Sequence, residues 1–415
     1  FFLFNNKNYC FLIGLILIFS FIFISKEDDY TTDTIKSYSE INLVIQGIGN
    51  LQVLYNYNLE NNAEIFVNGN RKGESCLQEC LFENYINNVT IIFEGNVETC
   101  NRMFYNSKNI TEIDLSNFDT SKVIDMSEMF YGCSRLKSIK LNNLNTSLVT
   151  TMNYIFYGCE SLNSIDISNL DISKVINMIS LFEDCKSLIS IDLSNFETSS
   201  LIYMSSMFKG CKYLKHLNIS NFDTKNVLNM EYLFYGCINL VSISITNFNT
   251  SLTKHMEYMF YECKLLKFID TSNFDTSSVI YMNHMFSRCN SLTTITLTNF
   301  DTSNVENMSS MFSYCFSLIN LNLSFFDTSN VINMFYMFSG CSSLTSINLN
   351  NFNTSKVESM SYMFSGCSSL ISLDITNFNT SKVLNMYNMF SGCSSLISIN
   401  LNNFNTSKVE SMSYM

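Results

Sequence analysis

Proline and tryptophan are absent from the 415 residues, and there are only three histidines, 13 glycines and 24 basic residues. Against those gaps stand 36 Phe, 22 Met and 15 Cys. A skew of this kind marks one short unit copied many times rather than two or three unrelated domains. Charge is also scarce: 14% of residues are charged, and acids outnumber bases to leave a net charge of −12. The shortage of basic groups argues against nucleic acid or an anionic lipid surface as a partner. The histidines, His216, His255 and His284, fall at different places in the repeat, so no Ser-His-Asp or Cys-His arrangement can be assembled from them. No phosphate-cradling glycine loop and no paired-carboxylate motif is present. The chain therefore reads as non-enzymatic, with no cofactor and no metal site.

What is present is periodic. Cysteine falls at 133 and then every 26 residues to 393, with Ser107 in the same place in the first copy. A phenylalanine that follows Met, Ile or Leu keeps the same step from Phe104 to Phe390. Twelve copies run from Met103, and a thirteenth has begun at the last residue. The chain starts at Phe and stops inside a repeat, which reads as a fragment of a longer protein. A period of 20–50 residues is the mark of a stacked array.

Each unit has two halves. "SLTSINLNNF" (Ser343 to Phe352) carries Ile347 and Leu349 two apart, as in a short strand with one face buried. "KVESMSYMFSGC" (Lys356 to Cys367) carries Val357, Met360, Met363, Phe364 and Cys367, the spacing of one stripe on a short helix. Gly366 sits where such a helix would end, and "NTS" or "DTS" supplies turn and N-cap chemistry. Equivalent residues of successive units stack, so the Cys, Met and Phe columns are expected in the core. The cysteines are then a packed thiol ladder, not a metal or redox centre. Phe300, Phe326 and Phe352 predict a second, aromatic column.

The pattern LxxIxLxxFxTS resembles the leucine-rich-repeat core, with Phe and Thr in two of its usual positions. The Met-Phe-x-x-Cys half is similar to BspA-type surface repeats, across about residues 103–415. The resemblance implies an α/β solenoid: a leucine-rich-repeat array with a parallel β-sheet on the concave face and short helices on the convex face. It also implies an adhesin or surface receptor.

The first hundred residues differ. Cys10 to Ile24 is an unbroken apolar run between Lys7 and the acidic Glu27–Asp29. It reads as a signal peptide or an uncleaved signal anchor over 1–25, exporting the rest. Residues 26–100 read as a β-rich N-terminal cap, with strands in "EINLVIQG", "LQVLYN", "AEIFVNGN" and "NVTIIFEG". Cys76, Cys80 and Cys100 allow one disulfide, in any of three pairings. The repeat array occupies 101–415.

Function is expected on the face of the strands that points away from the core. Two columns of small polar residues run down it, and the more diverged middle of the array supplies the candidates. These are Asp166, Ser190, Asp192, His216, Asn218, Ser242, Phe268, Asp270 and Thr294, together with Phe325, which breaks a near-constant Asn column. Such a surface suits an extracellular protein or glycoprotein ligand. The expected role is macromolecular recognition or adhesion by a cell-surface or secreted protein, free or membrane-anchored through the N-terminal segment or a C-terminal anchor beyond residue 415. The alternatives are the ectodomain of a signalling receptor and a structural surface coat.

Overall fold

A computed structural model describes residues 38–55 and 63–415. The segment read as a signal peptide or anchor, 1–25, lies outside the described residues. Among the described residues no helix is long and apolar enough to cross a membrane.

The N-terminal part is built of strands, as its alternating sequence predicts. In β1 (Tyr38–Gln46) Ile41, Leu43 and Ile45 are buried while their neighbours are half-exposed. A six-stranded sheet runs β4 (Asn70–Lys72), β3 (Ala63–Val67), β6 (Ile86–Glu94), β1, β7 (Ile110–Asn117), β8 (Ser138–Lys140). Its last pair, β7–β8, is parallel and belongs to the first repeats, so one sheet carries the chain into the array. β2 (Gly49–Gln52) and β5 (Glu79–Phe82) form a separate antiparallel pair. Cys76 and Cys80 are joined by a disulfide, and Cys100 stays a buried thiol.

The array departs from the expected α/β leucine-rich-repeat solenoid. Among the described residues there is no α-helix, and the one helical element is a single 3-10 turn at Glu74–Leu77. The half of each unit with helical spacing is a run of turns. Met126, Glu128, Phe130 and Gly132 donate their N–H groups to the carbonyls of Thr151, Asn153, Ile155 and Tyr157, one unit further on. Between them Met129, Tyr131 and Cys133 close turns onto Met126, Glu128 and Phe130. Two left-handed residues per unit enforce this alternation: Glu128 and Gly132 at φ 57° and 70°, Tyr154 and Gly158 at 58° and 67°. A right-handed helix cannot carry such residues four apart. Turns closed by bonds between residues three apart bring apolar side chains at that spacing to one side, as a helix would, which is why the spacing alone misleads.

Among the described residues the continuous concave sheet is absent as well. The parallel pairs β9–β10 (Ser190–Asp192 with His216–Asn218), β11–β12 (Phe268–Asp270 with Thr294–Thr296) and β13–β14 (Asn320–Leu321 with Ser346–Ile347) are small separate sheets of two or three residues per strand. The cause is local. The side chains of Asp192, Asn218 and Asp270 each accept the N–H of the residue two further on, turning the chain out of the strand. On the turn half a ladder of single parallel bridges runs from Thr99 through Asp125 and Thr151 to Ser411.

The core columns lie where the period places them. Phe104 to Phe390 form an unbroken stack with centroids 5.3 Å apart at the closest step and 6.0 Å at the widest. A second stack joins Phe248, Phe274, Phe300 and Phe326 at 6.5, 6.4 and 6.2 Å. Where Leu144 and Leu170 replace Phe in that column, an apolar cavity opens beside Phe130, Phe156 and Phe182. The cysteines of the periodic column, Cys133 to Cys393, line the interior as thiols. Each S–H donates to the carbonyl of the Phe 29 residues earlier, as Cys237 does to Phe208 at 3.2 Å. Burial pushes the Cys133 and Cys289 thiols up to about 12, which keeps them protonated donors.

Candidate surface of the strand face

Alternation along each short strand decides which side chains reach solvent. In β9 and β10 the central Ile191 and Leu217 turn inward, so Ser190, Asp192, His216 and Asn218 are exposed. The parallel register sets His216 beside Ser190 and Asn218 beside Asp192. These four, with Ser242 of the next unit and Lys215, line one open depression. Half of the candidates are thus brought together, and Lys215 is a cation that the column pattern does not pick out.

The other candidates lie along the same face. Asp166 is exposed one unit earlier, and Ser168 donates to its carboxylate through both N–H (3.1 Å) and hydroxyl (2.7 Å). Those bonds hold the Asp166 carboxyl below its usual range. Asp192 is lowered for the same reason, first by the Ser194 N–H. Phe268 and Thr294 are neighbours in β11–β12, and Phe268 is 49% exposed. Asp270 is half-buried, and its carboxylate accepts the Ser272 N–H at 3.0 Å. The acidic column therefore closes turns, and the freer contact groups are those of the first column: Ser190, His216, Ser242, Phe268 and Thr294.

Phe325 lies apart from the depression, in the turn after β13. Its column is otherwise an amide ladder. Asn221, Asn247, Asn351 and Asn403 donate to carbonyls 27 residues earlier at 2.7, 2.5, 2.6 and 2.8 Å. Phe325 cannot donate, and its ring is 58% exposed. Phe325→Asn is expected to raise stability by about 0.5–1.5 kcal/mol through a new bond to the Thr298 carbonyl. A melting temperature that falls or stays put in a thermal scan would refute the ladder as a source of stability.

A second feature escaped sequence reasoning. Along the turn half, tyrosines stack from unit to unit: Tyr105, Tyr131 and Tyr157 at 4.7 and 4.4 Å, and Tyr232, Tyr258 and His284 at 4.8 and 4.4 Å. The Arg288 guanidinium lies over Tyr314 at 5.1 Å and Tyr261 at 6.0 Å. Burial, with Arg288 adding to it, pushes His284 down to about 4, so this ring is neutral and serves as one more aromatic plate. The recurring "FYGC" was the available signal.

These features define a tandem-repeat protein whose units alternate bonds to the next unit with turns closed inside themselves. The chain belongs to the family described as "Mycoplasma protein of unknown function, DUF285", whose model matches residues 98–217, 203–318, 289–395 and 345–415. No curated protein matches the chain.

Proposed function

We propose that this chain is a non-enzymatic recognition protein of the cell surface or extracellular space, binding an extracellular protein or glycoprotein through the exposed face of its strand fragments. The observation that carries this reading is the convergence of Ser190, Asp192, His216, Asn218 and Ser242 on one open depression, with the exposed Phe268 further along the same column. Hydrogen-bonding groups around a rigid apolar frame suit a large, shallow partner better than a small molecule. The resemblance of the Met-Phe-x-x-Cys half to BspA-type surface repeats supports the same role, and the apolar run at Cys10–Ile24 supports export.

The test is binding of the whole chain to arrayed matrix proteins and glycoproteins, with and without His216→Ser and Phe268→Ser. Serine already occupies this column at Ser138, Ser164, Ser190 and Ser242, so both variants are expected to keep the melting temperature. Saturable binding is expected, weakened about tenfold by each substitution, which corresponds to roughly 1.4 kcal/mol. Absence of saturable binding would reject recognition and leave a spacer or coat.

A further inference from the structure

We infer that Glu231, His255 and Glu257 form a binding site for a divalent transition-metal cation, with Zn2+ the best match. One ligand atom from each of the three lies within 4.8 Å of the others. The site is independent of the strand face, because it sits on the turn half of two consecutive units.

Two neighbouring columns carry unusual ionisable residues at the same place. The bridge column is rich in Asp and Asn, and each such side chain accepts the N–H two residues on. Asn229 does so from Glu231 at 2.7 Å, Asn307 from Ser309 at 2.9 Å and Asn385 from Tyr387 at 3.0 Å. At 255 the residue is His, which gives up that turn bond. Its Nδ1 faces the Glu257 Oε1 at 3.1 Å instead. The adjoining column holds Ser, Asn or a neutral residue in every unit except two, and those two are consecutive: Glu231 and Glu257. Stacked units bring the two carboxylates together, a like-charge placement that neither burial nor turn geometry favours.

Two further observations fit a bound cation. The Glu257 Oε2 is buried and has no hydrogen-bond partner. A carboxylate oxygen left so is destabilising unless a positive charge meets it. The site also has the support that a ligand shell needs. Tyr281 of the next unit packs on the His255 ring, centroids 5.5 Å apart and planes at 29°. The Asn229 amide lies 3.5 Å from the Glu231 Oε2.

The donor set selects the metal. One imidazole nitrogen and two carboxylates suit Zn2+, with Mn2+ as a weaker guest, and leave at least one position for water. Bonds of about 2.0–2.1 Å place neighbouring ligand atoms of a tetrahedral shell about 3.3 Å apart. The Nδ1 to Oε1 separation of 3.1 Å already fits that edge. Small side-chain rotations bring in the Glu231 oxygen. The buried thiols do not compete, since each donates its proton to a Phe carbonyl inside the core.

The experiment titrates the whole folded chain with Zn2+, followed by calorimetry and by ring resonances of the three histidines. One equivalent is expected to bind with micromolar affinity, and only the His255 ring signals are expected to shift. Mn2+, which has little affinity for thiols, is expected to broaden those same signals. His255→Asn and the pair Glu231→Ser with Glu257→Ser put back residues that these columns use elsewhere. Each variant is expected to fold and to bind Zn2+ more weakly by more than about tenfold. No binding at millimolar Zn2+ would overturn the site. So would binding that survives these substitutions, or shifts at His216 or His284 in place of His255.

Discussion

Replacing Phe234 by alanine is expected to destabilise the array by about 3–5 kcal/mol, among the largest effects any single side chain here can produce. The ring is fully buried, and it stacks on Phe208 at 5.9 Å and Phe260 at 5.3 Å. Its loss removes the transfer free energy of the side chain and two aromatic contacts at once. The cavity cannot collapse easily, because the backbone of the unit is bonded to the unit after it: the Phe234 N–H donates to the Met259 carbonyl at 2.9 Å. Neighbouring rings would have to leave their column to fill the gap, which breaks their own stacking. Chemical denaturation followed by circular dichroism reads the loss, and hydrogen exchange locates it. A cost below about 1 kcal/mol would mean that the aromatic column is ornamental and that the array holds together by backbone bonds alone.

Thr224→Val is expected to cost about 2–4 kcal/mol although it changes almost no volume. The Thr224 hydroxyl is buried and serves both main-chain polar groups of one residue in the next unit. It donates to the Asn249 carbonyl at 2.8 Å and accepts the Asn249 N–H at 2.8 Å. Valine fills the space and leaves a donor and an acceptor unpaired beside an apolar wall. Thr224→Ser keeps the hydroxyl and loses one methyl, so about 1 kcal/mol is expected. The same pairing recurs with Thr354 and Asn379 and with Thr380 and Asn405. Equal losses for Val and Ser in matched denaturation curves would show that the methyl matters and the hydroxyl does not.

The threonine column shows where a sequence stops being readable. "NTS" was legible as a turn, and Asn249 does close one, accepting the Ser251 N–H at 3.1 Å. Nothing in three letters reveals that the Thr hydroxyl reaches into the next unit, because that partner is 25 residues away. The period itself, and the burial of Met230, Phe234 and Cys237, were legible because stacking requires like positions to share an environment. The helix was misread for an identifiable reason. From the sequence Gly366 reads as a helix end, whereas it and its equivalents, Gly132 among them, are one of two left-handed positions in each unit. The other position is held by Glu128, Tyr154, Ser180 and their equivalents, which no propensity scale marks as left-handed. Strand-face exposure followed from simple alternation. The capture of Asp192 and Asp270 by turns did not, since an Asp that closes a turn and an Asp that awaits a partner look the same in a sequence.

Because the N–H groups at alternate positions of the turn half find their carbonyls 25 residues ahead, any unit can sit beside any other. An unequal crossover between two copies of the coding sequence, displaced by whole units, would lengthen or shorten the chain without orphaning an interior bond. A deletion of one codon would throw the phenylalanine and cysteine columns out of line together. Evolution along this chain is therefore free in steps of one full unit and nearly forbidden between them, and the near-identical stretch from Ser343 to Ser407 is what such copying leaves behind.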